Sequence, residues 1–423
     1  MLTMSDRRKD LDQPHEVTVW TGFDYPGRAG KHSGFKYNWR HFNGIDYEAR
    51  TRTRGIWRFV GENKIGWATD VSDELGNYDY LMLADVDYSQ PDVREDVFHW
   101  GQWIAKELGP GLRGLRFDAI KHYSQRFLRG FVDHLDKTVG EEWFLVGEYW
   151  SSDLKVLGPL IDVFKRRMSL FDVQLVYNFS ASSKTKRCDL RKVFDRTLAS
   201  SRYSDNAVTF VQNHDTQETQ ALEAVVEEWF MPLAYAMILL RKAFGYPCVF
   251  YGDLYGIQGP RPRRPAMGGK LARLILARKL YAYGVQRDYD DKADCIGWTR
   301  EGSGKRKSSK WSGIAVVVNS GWTWNEKRMA VGKQHAGEVW TDILAWAWGE
   351  VLIDSSHGEG LFPVGHRGVS VWVNKTGPGR RKIDELSFDD EIYGVEKEKA
   401  RVEALLKSLE NSPAVARKLG SKV

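Results

Sequence analysis

The chain has 423 residues, enough for two or three domains, and no apolar run long enough to span a bilayer, so no membrane role is expected. A formal net charge of +6 is mild for this length, and the basic clusters GPRPRRPAMGGK and GKRKSSK come without a nucleic-acid motif, which argues against a nucleic-acid partner. Three scattered cysteines, Cys188, Cys248 and Cys295, argue against a disulfide framework and a zinc site and suit a reducing compartment; with no signal peptide visible in MLTMSDRRKDLDQPHEV, a cytoplasmic location is expected.

Residues 1–92 lack helix–strand alternation and are rich in Gly, Asp and aromatics, which reads as an irregular, β-containing lobe. Trp20, Trp39 and Tyr47 here, and Trp150 later, fall in polar segments, as suits rings that stack on sugar faces. The lobe's second half brings Asp70, Asp73, Asp79, Asp85 and Asp87 into a short span. Such a set offers oxygens to a hard cation, or forms Asx-turns and solvated acids.

The periodicity changes at Pro91. PDVREDVFHWGQWIAKEL predicts a helix with Val97, Trp100, Ile104 and Leu108 on one face. Strands follow in GLRFDA, WFLVGEYW, MSLFDVQL, AVTFVQNHD and YPCVFYGD. Between them the spacing predicts helices over 125–135, 153–160 and 189–199, the apolar helix PLAYAMILLRKAF, and a last helix over 270–283. This alternation over 93–286 predicts a parallel α/β sheet, five β/α units of a barrel that needs eight. From 287 to 375 short strands with Gly-bearing turns predict a C-terminal antiparallel β-sandwich. The charged tail, 376–423, carries one helical stripe, Val402, Leu405, Leu406 and Leu409.

Three predicted strand ends carry polar groups: Arg116 with Asp118, Glu148, and His214 with Asp215. Each follows an apolar run, so a barrel would deliver all three to one rim. Paired carboxylates flanking a bond are the machinery of glycoside hydrolysis. Arg116, on the strand face of Asp118, favours Asp118 as the charged nucleophile. Glu148, among Phe144, Tyr149 and Trp150, suits a general acid, and Asp215 with His214 suits binding of ring hydroxyls. A separation of ~5 Å between the main carboxylates would give retention of configuration.

The strings GLRFDAIKH, GEYW and FVQNHD resemble the conserved segments of α-amylases in glycoside hydrolase family thirteen. The resemblance extends through WTGFDYPGR, GNYDYLMLADVDY, PLAYAMILLR, GYPCVFYGDLYGI and IGWTREG, from about residue 19 to 375, and points to liquefying bacterial and intracellular fungal members. It implies an incomplete (β/α)8 TIM barrel, hydrolysis of α-1,4-glucan in starch, glycogen or malto-oligosaccharides, and a bound Ca2+ ion. It makes Asp118 the nucleophile, Glu148 the acid/base and Asp215 the transition-state stabiliser. Arg116, Lys121, His122 and His214 become sugar-site residues. Asp79, Asp85 and the carbonyl of His122 become calcium ligands.

Two departures stand against the family pattern. An Asp-x-x-x-Asn-His segment at the end of the third barrel strand has no counterpart here, which leads to the expectation of an N-terminally truncated barrel with impaired activity, and of a monomer when complete. Asn43, Ala68 and Ser89 stand where a second metal cluster would have acids, so none is expected. The rival readings are a glucan transglycosylase and a non-catalytic glucan-binding relative. An open nucleotide-binding sheet fails for want of a glycine-rich phosphate loop.

Overall fold

Local pairing and packing in the computed structural model are described for residues 2–6, 9–10, 13–74, 79–242, 245–258, 262–302 and 312–386, the first two stretches by backbone alone. The GKRKSSK cluster and the tail stripe over 402–409 lie outside them. The chain divides into two units, Met1–Phe171 and Asp172–Val423. No helix among the described residues is long and apolar enough to cross a membrane.

The lobe of the first unit is a small antiparallel sheet. Its strands are β1 (Leu2–Asp6), β2 (Lys9–Asp10), β3 (Phe42–Glu48), β4 (Thr53–Arg58) and β5 (Asp85–Val86), in the order β2-β1-β4-β3-β5. Phe42, Ile45, Trp57 and Phe59 form its core. Gly44 is required there, because a Cβ would lie 2.3 Å from the Trp57 carbonyl and 2.5 Å from the Trp67 ring.

Helix α1 (Pro91–Leu108) begins with proline at its first turn, where the missing N–H costs nothing. The predicted apolar face is not the buried one. Val93 and Gly101 are buried, Val97 and Ile104 are half-buried, and Trp100 and Leu108 are exposed. The helix lies against α2 (Gln125–Thr138) at Gly101, whose missing side chain leaves room for the Phe131 ring, so the closest approach follows the small residue rather than the large ones. Ser124 caps α2 by accepting the Phe127 N–H at 3.1 Å.

Three parallel strands complete this unit: β6 (Gly114–Phe117), β7 (Phe144–Gly147) and β8 (Ser169–Phe171) pair in sequence order, with α3 (Leu154–Val163) between the last two. Arg116 pairs with Val146 and Phe117 with Gly147. A Cβ on Gly147 would meet Ile120 and Met168 at 2.5 and 2.8 Å, so the strand end that leads to Glu148 must be glycine.

The second unit opens on α4 (Val173–Lys184), where the sequence pattern predicts the end of a strand. Asp172 makes the difference. Its carboxylate accepts the Leu175 N–H at 3.3 Å and the Ala199 N–H at 2.8 Å, and so starts the helix. Asn178, inside a glycosylation-like triplet, spends its amide on the carbonyls of Val193 and Asp195.

The helix predicted over 189–199 is absent; a single 3-10 turn, Leu190–Lys192, gives way to further turns. Asp189 accepts the Arg191 N–H and Ser200 bonds the Phe194 and Thr197 carbonyls, which satisfies the backbone without a helix. Strand β9 (Ala207–Thr209) pairs in parallel with β10 (Tyr246–Pro247). Helix α5 (Met231–Leu240) lies between them in sequence. It is apolar on every side, and nine of its ten residues are buried. The short α6 (Tyr251–Tyr255) and α7 (Leu271–Leu280) follow.

The expected antiparallel strands then appear, with more than the sequence revealed. They are β11 (Gln286–Tyr289), β12 (Cys295–Arg300), β13 (Ile314–Asn319), β14 (Asn325–Ala330), β15 (Val339–Asp342), β16 (Val351–Leu352), β17 (Glu359–Val364) and β18 (Gly368–Asn374). One sheet runs β11-β12-β13-β18-β15-β16, and β14 pairs with β17. Val317, Met329, Trp340, Phe362 and Trp372 share the core of this region. A last turn of helix, α8 (Arg380–Asp384), closes the described chain.

Candidate active site

In the first unit, β6 ends in the alternating Arg116-Phe117-Asp118. The Arg116 guanidinium lies 2.5 Å from the Asp118 carboxylate and 5.8 Å from the centre of the Phe171 ring. Both charged side chains reach solvent, Asp118 at 71% exposure. The exposed carboxylate therefore has a full positive charge beside it.

The next residue, Ala119, takes a left-handed backbone conformation with φ 48°, which is costly for a residue with a side chain. The turn aims the Ala119 N–H at Glu148 Oε2, 2.7 Å away. Ile120 donates to the Glu148 carbonyl at 3.0 Å, and Glu148 donates to the Phe117 carbonyl at 2.8 Å. The two acids therefore stand on adjacent strand ends stitched together by backbone.

Unlike Asp118, Glu148 is buried, as are Tyr149 and Trp150. Phe144, counted among its apolar neighbours from sequence, is exposed at the start of β7. Lys121 does not stand open: its ammonium donates to Glu74 at 2.9 Å and to the Trp150 carbonyl at 3.2 Å. The half-buried His122 closes the turn by donating its N–H to the Ala119 carbonyl at 3.0 Å.

In the second unit, the chain leaves β9 through Phe210, Val211 and Gln212, all buried, and turns at Asn213. Asn213 Oδ1 accepts the N–H groups of Asp215 and Thr216, both at 3.0 Å. Thr216 Oγ1 in turn accepts the Asn213 N–H at 2.9 Å. This Asx-type turn sets the direction of Asp215, whose carboxylate meets His214 Nε2 at 3.1 Å. Ala119 and Asn213 were not singled out from sequence. Asn213 was legible as a turn former, but an alanine with positive φ leaves no sequence signal.

The acidic span of the lobe separates by role. Asp70 accepts from the Ser124 hydroxyl and the Arg126 N–H, each at 2.9 Å, and so anchors the start of α2. The buried Asp87 pairs with Lys64 at 2.9 Å, and Lys64 also donates to the carbonyls of Arg40 and Phe42. Asp79 and Asp85 are joined by Asn43, whose amide donates to them at 3.1 and 2.9 Å. Burial pushes Asp79 up to about 7, and burial together with the charge of Asp79 raises Asp85.

Asn43 Oδ1 is buried without a hydrogen-bond partner among the described residues. Two carboxylates made costly by burial, beside an orphaned amide oxygen, are a donor set that suits a hard cation. Among the described residues no group of three His, Cys, Asp or Glu is disposed to hold a metal ion, so such a site draws on amide and backbone oxygens as well.

Of the aromatics in polar segments, Trp20 is 76% exposed with Tyr47 packed at 6.0 Å, and Trp39 is exposed. Trp150 is instead buried beside Glu148.

The model of the family described as "Alpha amylase, catalytic domain" matches residues 59–335. The chain is 44% identical over 373 residues to an alpha-amylase of Bacillus licheniformis, a match that covers 88% of this chain and 70% of that one. It is 36% identical over 380 residues to the cytoplasmic alpha-amylase of Escherichia coli (strain K12), covering 87% and 74%. Among solved structures, a cyclomaltodextrin glucanotransferase with a three-domain arrangement aligns with a TM-score of 0.52 at 21% identity, over 70% of this chain and 62% of that one. At that identity the likeness concerns the fold alone.

Proposed function

The chain belongs to the α-amylase family of glycoside hydrolases, and from that premise we propose that it hydrolyses internal α-1,4-glucosidic bonds of starch, glycogen or malto-oligosaccharides with retention of configuration. The observation that carries this reading is the unlike pair at adjacent strand ends: an exposed, Arg-paired Asp118 and a buried Glu148 linked through the Ala119 N–H.

In this mechanism the Asp118 carboxylate attacks the anomeric carbon while Glu148 gives its proton to the departing glycosidic oxygen. The electrons of the broken C–O bond leave with that oxygen. A glycosyl ester on Asp118 results. Glu148, now a base, takes a proton from water, whose oxygen attacks the same carbon and frees Asp118. Arg116, in contact with Asp118, aims its carboxylate. Asp215, with His214, binds ring hydroxyls and favours the flattened, positively charged sugar of the transition state.

Asp79, Asp85 and Asn43 Oδ1, with the backbone carbonyl of His122, would hold a calcium ion. Bound there, the ion would supply positive charge opposite the Asp79 and Asp85 carboxylates.

Two measurements test the reading. A fluorinated glucosyl fluoride that accumulates the covalent intermediate is expected to label the peptide carrying Asp118. The first product observed by NMR is expected to be the α-anomer. A β-anomer, or a label on another acid, overturns the assignment. Longer oligosaccharides as the dominant products at high malto-oligosaccharide concentration would replace hydrolysis by glycosyl transfer.

A further inference from the structure

Three buried side chains in the second unit form a polar network. Gln212 follows β9, Tyr235 lies on α5 and Asp253 on α6, and all three are buried, at 1%, 0% and 2% exposure. The Gln212 amide donates to Asp253 Oδ1, and the Tyr235 hydroxyl donates to Asp253 Oδ2 at 2.5 Å. Gln212 Oε1 has no hydrogen-bond partner among the described residues.

We infer that Asp253 is a positioning residue for Asp215: by holding Gln212 it fixes the root of the turn from which the Asp215 carboxylate projects. This rests on the role proposed above for Asp215. The argument is one of slack. Gln212 is anchored and buried, Asn213 closes its turn on the N–H groups of Asp215 and Thr216, and nothing between the anchor and Asp215 absorbs a displacement. Misplacing a reacting or stabilising group by an ångström costs on the order of 10²-fold in rate.

The anchor also serves either protonation state. Burial pushes the Asp253 carboxyl up to about 6, against the Tyr235 and Gln212 donors and the positive charge of Arg263. As a carboxylate, Asp253 accepts from the Gln212 amide NH2. As an acid, it donates to Gln212 Oε1 once that amide turns over, and it still accepts from Tyr235. The conservative substitution Asp253→Asn reproduces the second arrangement, whereas an apolar residue supports neither.

The test compares Asp253→Leu, Asp253→Asn, Tyr235→Phe and Asp215→Asn in the full chain on soluble malto-oligosaccharide. Rates are normalised to the fraction labelled by the trapping reagent at Asp118. Asp253→Leu is expected to lower kcat by about tenfold to a hundredfold with KM changed by less than about threefold. Asp253→Asn is expected to restore kcat to within about twofold, and its kcat–pH profile to follow that of the parent. Tyr235→Phe leaves the Gln212 contact in place, so it is expected to lower Tm while sparing kcat.

If Asp253→Leu does not fold, Gln212→Leu breaks the same contact from the other side and carries the same expectation. Unchanged kcat in Asp253→Leu or Gln212→Leu overturns the inference. So does an equal loss of kcat in Tyr235→Phe, which would mark the network as structural support alone. Asp215→Asn separates the two readings. If it keeps full activity, the role of Asp215 falls. If it is inactive while the network variants are not, only the positioning role of Asp253 falls.

Discussion

Asp118 and Asp215 leave their strands under opposite kinds of control. In the first unit Asp118 is exposed and its partner is a full charge, the Arg116 guanidinium at 2.5 Å, while a strained alanine hands its N–H to Glu148. In the second unit Asp215 is directed by neutral hydrogen bonds: its N–H donates to the Asn213 side-chain oxygen, and behind that stands the buried Gln212. An attacking carboxylate gains from a fixed cation that orients it and faces the charge it carries. A carboxylate that only binds and stabilises must above all be placed, which a tight turn achieves without adding charge.

The largest expected effect comes from removing the charge that the first arrangement protects. Asp118→Asn should lower kcat by about 10⁴-fold or more, because the covalent route loses its nucleophile. Full activity in that variant would erase the contrast altogether. Glu148→Gln should cost about 10²- to 10⁴-fold on glucan. Its defect in glycosyl-enzyme formation should shrink on a substrate whose leaving group needs no proton, such as a glycosyl fluoride. An equal loss on both substrates would show that Glu148 acts other than as an acid.

Asn213→Ala tests the second arrangement. It frees the N–H groups of Asp215 and Thr216 and is expected to lower kcat by about tenfold with KM nearly unchanged. Ser124→Ala removes the cap of α2 in the first unit and the Ser124 hydroxyl's bond to Asp70. It should cost about 1 kcal/mol of stability, read as a lower Tm, with kcat intact. A kcat defect there would mean that α2 takes part in positioning the lysine and histidine that precede it.

Much of this was legible along the chain. Period-two alternation before Asp118, and apolar runs before Glu148 and Asp215, marked the parallel strands. Short apolar segments separated by Gly-bearing turns marked β12, β13 and β18. The misreadings have physical causes. Asp172 interrupts the apolar run MSLFDVQL, and only its bonds to Leu175 and Ala199 reveal a helix start rather than a strand residue. In α1 the large residues suggested the buried face, but Gly101 and the Phe131 ring decided it. The five acids of the lobe read alike in sequence, yet Asp70 anchors α2, Asp87 pairs with Lys64, and Asp79 and Asp85 share Asn43.

By itself, then, the order of residues determined which groups stand at strand ends, since alternation and apolar runs are local properties of the chain. It also determined which types of group these are: two acids of unlike surroundings, an arginine and a histidine. Only the tertiary structure decided how each is held. The meeting of Gln212, Tyr235 and Asp253 joins residues 18 to 41 positions apart. The left-handed turn at Ala119 is sustained by contacts to another strand, and the division of labour among the lobe aspartates follows from burial. Partnership and burial depend on which segments fold against each other, and no local pattern encodes that.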